Sequence, residues 1–347
     1  MIDKKICEKF EIGEVINVNP YGNGHINSTY LVYTTQGKFI IQEINTYVFK
    51  KPKKIMKNIY LVTKWMEKRC KNNCYDGLKI IKTKNKKLYY KDRKKYYRCY
   101  QFIDSNTINS KLKQDNKIMY EMGKCLATFD TSLSDYPVKK IYTVIPDFHN
   151  SKKRYEHFKK IVFLDLLNRR KKVYKEIKFI FKRKKYFDII NNALKEGITK
   201  LQVVHNDPKA DNMIINNNGN VCLIDLDTVM EGTILYDYGD AMRLNILNSD
   251  EDDENVSINL DNFYYFTKGF VTEYEDIPKE EKNLLVKSII IMTLECGMRF
   301  LTDYLEGNIY FKVDDENHNL RRARTAFKEI LLLEKNEKLL DSIVNNL

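Results

Sequence analysis

Eight consecutive residues, His205-Asn206-Asp207-Pro208-Lys209-Ala210-Asp211-Asn212, put an acid, a cation and an amide on one loop. An apolar run, Val221-Cys222-Leu223-Ile224, follows and ends on Asp225, with Asp227 two residues further on. Transfer of a phosphoryl group needs a base for the hydroxyl proton, oxygen ligands for Mg2+ and a cation near the moving charge. Asp207 can take the proton. Asn212 and Asp225 offer hard oxygens of the kind Mg2+ prefers, and Lys209 supplies the cation. A turn-capping acid is the plainer reading of Asp207, but Asn212 and Asp225 follow it in the order that the chemistry requires. Asp225 ends the apolar run directly and takes the metal role, while Asp227 orients the loop or binds Mg2+ secondarily. His205 reads as a packed histidine that steadies the loop.

These residues need a frame, and the texture of the chain supplies one. Residues 10–18 read as a first strand, and the turn Pro20-Tyr21-Gly22-Asn23-Gly24-His25 follows it. Residues 28–34 and 38–43 form a hairpin around Gln36-Gly37, residues 53–68 have helical spacing, and 79–83, 86–91 and 96–102 are three further strands. From residue 103 the pattern turns helical: 116–132, a long basic stretch over 155–193 in two or three pieces, 263–274, 281–305 and 320–344. The catalytic segment 201–227 interrupts with short strands. Asp237 and Asp240 read as carboxylates bracing the loop after the metal strand, and residues 250–255 as an acidic surface loop. The expectation is an α+β chain, with a β-rich lobe over 1–102 and a larger helical lobe over 103–347 that carries the motif. The glycines of the first turn, Gly22 and Gly24, let backbone N–H groups approach phosphate oxygens, although an ordinary hairpin turn accounts for that fragment equally well.

The chain has 347 residues, 43% hydrophobic and 12% aromatic, enough for a substantial core. Its net charge of +13, from 60 Lys and Arg against 47 Asp and Glu, raises nucleic acid or a membrane surface as partners. No nucleic-acid motif supports the first. Much of the excess falls in 152–185, where it reads as solvated helix faces, and an anionic substrate also favours a positive cleft. The seven cysteines form no CxxC pair and read as reduced thiols of a cytoplasmic protein. The N-terminus lacks a signal-peptide core. The longest apolar run, 289–301, is broken by Glu295 and Arg299 and is too short to span a bilayer. No membrane and no nucleic-acid partner is expected, and the chain should be a monomer or weak homodimer.

The ordered motifs resemble the aminoglycoside phosphotransferase/choline kinase branch of the protein-kinase-like two-lobed fold. The spacing of Asp207 and Asn212 is that of the kinase catalytic loop. Within that branch the chain resembles the N-acetylhexosamine 1-kinase family. The matching stretches are Tyr21-Gly22-Asn23-Gly24-His25-Ile26-Asn27-Ser28-Thr29-Tyr30, Phe39-Ile40-Ile41-Gln42-Glu43-Ile44-Asn45, Ile145-Pro146-Asp147-Phe148-His149, 205–212, 224–228, 235–243 and 297–312. The resemblance implies transfer of the ATP γ-phosphate to the anomeric hydroxyl of N-acetylglucosamine or N-acetylgalactosamine. It implies Asp207 as base, Asn212 and Asp225 as Mg2+ ligands, and adenine at a hinge around Gln101 and Ile103. Lys209 and Arg299 match positions that face substrate or the transferring phosphate, and Asp303 and Tyr304 fall in the same substrate-side motif. The third strand of this fold usually carries a lysine for the α- and β-phosphates, but here it presents Gln42. The phosphate anchor then has to come from the Gly22 to Asn27 backbone, His25 and Mg2+.

On the acceptor side, Asp147 and His149 read either as lining the sugar pocket or as parts of a capped turn. Arg299 and Asp303, four apart on a helix, would ordinarily form an ion pair. Aminoglycosides, choline, ethanolamine or homoserine are alternative acceptors of the same fold. The cationic ones call for a dense acidic pocket. The mixture of Arg299, Lys312, Asp303 and Glu306 suits a neutral sugar better.

Overall fold

The computed structural model describes residues 2–22, 26–69, 77–108, 112–247 and 256–347. The chain opens with a short helix, α1 (Lys4–Cys7), which Asp3 caps by accepting from the Lys5 N–H. The expected first strand starts late, at β1 (Val15–Pro20). Phe10 makes only an isolated bridge to Thr83, and Gly13, at φ +76°, breaks the extended run between them. The hairpin is as patterned, with β2 (Ser28–Thr34) and β3 (Gly37–Ile44) pairing from Thr34 opposite Gly37. The helix α2 (Pro52–Arg69) follows. Of the three further strands, two are short, β4 (Ile80–Ile81) and β5 (Tyr90–Asp92), and both pair with the long β6 (Lys95–Gln101). The sheet is antiparallel in the order β1-β2-β3-β6-β4, with β5 also on β6.

Alternation divides this sheet into two faces. Val32, Phe39, Ile41, Tyr97 and Cys99 share a small core with Ile2, Cys7, Phe10 and Ile12 from the N-terminal segment. Gln42 and Arg98 are one residue out of phase with Ile41 and Cys99 and stand directly opposite each other across β3 and β6. That places a polar pair on the face away from the N-terminal core.

In the second lobe, β7 (Ser105–Thr107) pairs with β9 (Met213–Asn216), which pairs with β10 (Val221–Leu223), while β8 (Gln202–Val204) pairs with β11 (Met230–Gly232). The helices are α3 (Asn116–Ser132), α4 (Ser151–Leu164), α5 (Tyr174–Lys182), α6 (Tyr186–Lys195), α7 (Ile234–Asn245), α8 (Leu260–Glu273), α9 (Lys279–Lys282), α10 (Leu285–Glu306) and α11 (His318–Asn346). Asp237 and Asp240 lie on helix α7, which Thr233 caps by accepting the Leu235 N–H, 3.0 Å away. Close packing of α3 on α8 depends on two glycines: a Cβ on Gly123 would sit 2.0 Å from the Phe266 carbonyl oxygen, and one on Gly269 2.0 Å from that of Tyr120. Helix α10 is buried on nearly every side, against α11, α7 and α4. Cys7, Cys99, Cys125, Cys222 and Cys296 are free thiols, and Cys70, Cys74 and the acidic stretch 250–255 lie outside the described residues.

Candidate active site

The loop between β8 and β9 is held from behind by buried groups. Asp237, in the first turn of α7, accepts the His205 N–H at 2.7 Å and the Asn206 N–H at 2.6 Å. The His205 Nδ1 accepts the Asp207 N–H at 3.3 Å, so its Nε2–H donates to the Ile224 carbonyl at 3.1 Å. Burial holds this ring neutral by lowering its pKa. One imidazole thus bridges the base loop and the residue before Asp225. Asn206, at φ +66°, donates from Nδ2 to the Thr228 carbonyl at 3.2 Å.

Asp207 is half-buried. Its Oδ2 accepts the Asn212 amide at 3.0 Å and lies 3.9 Å from Lys209 Nζ. Burial, with Asp240 adding to it and Lys209 pulling against it, raises its carboxyl to about 6. Asn212 spends its Nδ2 on Asp207, at 2.8 Å from the carbonyl and 3.0 Å from the carboxylate, which leaves Oδ1 for another partner. Asp225 takes a left-handed backbone, φ +57°. Its carboxylate is open to the cleft and makes no hydrogen bond among the described residues. Protein nonetheless crowds it from both lobes. This poor solvation and the charge of Asp227 raise its carboxyl to about 7. No group of three or more His, Cys, Asp or Glu suited to a metal occurs among the described residues. Two oxygen ligands, Asn212 and Asp225, still fit Mg2+, which takes its other ligands from phosphates and water.

Asp227 has different surroundings. It is 2% exposed and is gripped by the equally buried Arg98 from β6 and by Asn27 from the turn before β2. Gln42 makes the same network: its Oε1 accepts from Arg98 Nε at 2.9 Å and its Nε2 donates to Thr29 Oγ1 at 2.9 Å. Arg98 was not among the sequence-derived candidates. The available signal was a single cation within Tyr96-Tyr97-Arg98-Cys99-Tyr100, a strand otherwise aromatic or apolar. Gly22 is described, with φ +72°, whereas Gly24 and His25 lie outside the described residues. At the crossing between lobes Gln101 donates its N–H to the Lys79 carbonyl at 3.0 Å. The Ile103 carbonyl accepts from Ser105 Oγ at 3.0 Å, and its N–H has no partner among the described residues.

A cavity of about 410 Å³ is lined by Asp147, Phe148, Arg154, Arg299, Tyr310 and Phe311 among others. Asp147 is paired with Lys153 at 2.9 Å, which holds its carboxyl below the usual range. Arg299 does not pair with Asp303. Its guanidinium lies against the rings of Tyr310 and Phe311, 5.6 and 5.3 Å from their centroids, and has no carboxylate partner among the described residues. Asp303 is consumed in shaping the cavity wall. Its Oδ1 accepts the N–H groups of Ile309 and Tyr310 at 2.9 and 2.8 Å, and its Oδ2 those of Phe311 and Asn319 Nδ2 at 3.0 and 2.8 Å. His149 and Tyr304 are in the core and do not line the cavity. His149 joins Asn206 to helix α10, with Nε2 2.8 Å from the Asn206 carbonyl and Nδ1 3.3 Å from Glu295. Tyr304 packs under Arg169, 4.7 Å from ring centroid to guanidinium.

The model of a family described as "Phosphotransferase enzyme family" matches residues 17–274. The chain belongs to this phosphotransferase family. Solved structures agree on the two-lobed, protein-kinase-like fold. An aminoglycoside phosphotransferase from Alicyclobacillus acidocaldarius superposes with a TM-score of 0.64 at 11% identity, over 100% of this chain and 97% of that one. A spectinomycin phosphotransferase, in complex with ADP and spectinomycin, gives 0.62 at 12% identity over 95% and 97%. A choline kinase from Cryptosporidium parvum gives 0.61 at 14% identity over 94% and 91%. Among the described residues no helix is long and apolar enough to cross a membrane.

Proposed function

We propose that this phosphotransferase moves the γ-phosphoryl group of Mg-ATP to the anomeric hydroxyl of an N-acetylhexosamine, N-acetylglucosamine or N-acetylgalactosamine, to give the sugar 1-phosphate and ADP. Asp207 accepts the hydroxyl proton as the acceptor oxygen bonds to the γ-phosphorus and the bond to the β-phosphate oxygen breaks. Lys209 faces the negative charge that builds on the transferring group. Asn212 and Asp225 would hold Mg2+, which supplies charge neutralisation on the phosphates when bound. The free Ile103 N–H offers adenine a donor at the crossing between lobes.

The observation that carries the acceptor reading is the cavity's charge. Of its lining carboxylates, Asp147 is paired with Lys153, Asp303 caps four donors, and Glu306 is 3.0 Å from His157. None is left for a cationic acceptor such as choline or an aminoglycoside. The open Arg299 and the faces of Phe148, Tyr310 and Phe311 offer donors and flat apolar surface to a sugar ring. Incubation with Mg-ATP and N-acetylglucosamine, N-acetylgalactosamine, glucose, galactose, choline, homoserine or kanamycin, followed by ADP release, tests this. Release with an N-acetylhexosamine supports the proposal, and release only with choline, homoserine or kanamycin keeps the phosphotransferase and overturns the sugar.

A further inference from the structure

We propose that Arg98 is the positioning residue of the nucleotide half of the site: through Asp227 it latches the turn that precedes β2 onto the loop that carries Asp225. This rests on the reading of Asp225 as a metal ligand beside Mg-ATP. Strand β3 offers no cation at the cleft, because Gln42 stands there and is neutral. Arg98, directly across on β6, places a buried guanidinium beside it. Gln42 aims it by accepting from Nε, and the two terminal nitrogens of the guanidinium engage both oxygens of Asp227, the Nη2 contact at 3.0 Å. That fork fixes orientation as well as distance. The same carboxylate accepts from Asn27 Nδ2 at 2.8 Å, and Asn27 Oδ1 accepts the Asn45 N–H at 3.0 Å. One acid therefore ties together the small-lobe sheet, the end of its glycine turn and the loop two residues beyond Asp225.

Stability alone does not account for this arrangement. A buried ion pair is commonly matched or bettered by apolar residues of similar volume, so its retention at a junction points to registration of the parts it joins. Arg98 is 1% exposed and each of its three guanidinium nitrogens donates to Gln42 or Asp227, so it acts through Asp227 rather than by touching the phosphates. The latch holds Asn27, just before β2, and the loop of the metal ligand at one fixed separation, the condition for a metal ion to link a bound triphosphate to the large lobe.

The test is calorimetric titration of ATP with and without Mg2+ on the full chain. The R98M/D227L variant removes both charges and leaves no orphaned ion. It should melt close to the wild type, lose about tenfold or more in Mg-ATP affinity, a common scale of coupling between two sites, and retain its affinity for metal-free ATP. Asn27→Ala removes only the neutral arm and should show the same Mg2+-selective loss, smaller in size. Arg98→Lys, which cannot reproduce the fork, should fall between them. Equal Mg-ATP affinity in wild type and Asn27→Ala, or a loss in R98M/D227L that is the same with and without Mg2+, would overturn the latch. A wild-type chain that binds no Mg-ATP would overturn the nucleotide reading, and the latch with it.

Discussion

The two halves of the cleft are built differently. On the proposed nucleotide and base side, nearly every polar side chain named above is committed to a protein partner: Asp237 to the His205 and Asn206 N–H groups, His205 to the Ile224 carbonyl, Asn212 to Asp207, and Arg98 and Asn27 to Asp227. Asp225 differs: it is exposed and makes no hydrogen bond among the described residues. On the acceptor side, the carboxylates are spent on shape, and the open charge is a guanidinium lying on two rings. Phosphoryl transfer gains from preorganised groups that need not move during the reaction, whereas acceptor choice turns on which polar groups are left for the ligand to satisfy. The difference suggests that substitutions on the first side cost rate or nucleotide binding, and those on the second cost selectivity.

Asp207→Asn should give the largest effect. Removing a general base typically costs about 10²–10⁴ in rate, so turnover should fall at least that far while the acceptor KM changes little. Near-normal turnover would remove Asp207 from the chemistry and erase the contrast. Next is Asp227→Asn, which leaves the buried Arg98 without its counter-ion. Breaking one member of such a pair costs roughly 3–5 kcal/mol, visible as a large drop in thermal midpoint. A midpoint within a degree or two of wild type would mean that the carboxylate is not needed for balance.

Arg299→Met sharpens the other half. Loss of a charge-assisted hydrogen bond is worth about 1.5–3 kcal/mol, so the acceptor KM should rise tenfold or more with Mg-ATP affinity unchanged. An effect on Mg-ATP alone would move Arg299 to the nucleotide side.

The smallest expected effect is on stability and follows from the raised pKa of Asp207. Its folded value, about 6, exceeds the ordinary carboxyl value of 3.8. The folded state therefore binds the proton more tightly. The group disfavours folding progressively as pH rises from about 4 through 6, the reverse of a salt-bridged aspartate. Asp207→Asn should then stabilise the chain at pH 7 by about 1 kcal/mol, allowing for its partial exposure, with no gain at pH 4. Melting curves at the two pH values check it. In the wild type the same shift predicts that kcat/KM declines about tenfold per pH unit below 6, since only the ionised carboxylate can act as base.

Legibility in the sequence divided along similar lines. The catalytic loop and Asp225 were readable because their chemistry is local, within 21 residues, and bounded by apolar strands. The β2–β3 hairpin was marked by Gln36-Gly37, and α3 by an unbroken apolar stripe that matches its observed span, Asn116–Ser132. Arg98 was not readable in the same way. Its meaning depends on strand register and on a contact with a residue 129 positions away. Asp237, Gly239 and Asp240 interrupt the apolar pattern of helix α7, and those acids serve the catalytic loop and Arg243. Tyr304, on α10, shows what a sequence motif leaves open. Periodicity assigns a residue to a face, but α10 is buried on nearly every side, so the face alone does not say whether a cavity or the core lies beyond it.

The most direct test of the central claim is ³¹P NMR of the product formed from Mg-ATP and N-acetylglucosamine or N-acetylgalactosamine by the wild type and by Asp207→Asn. The account predicts a phosphate signal coupled to the anomeric proton, formed by the wild type and absent with the variant. A phosphate on any other oxygen, or the same product from both proteins, would contradict it.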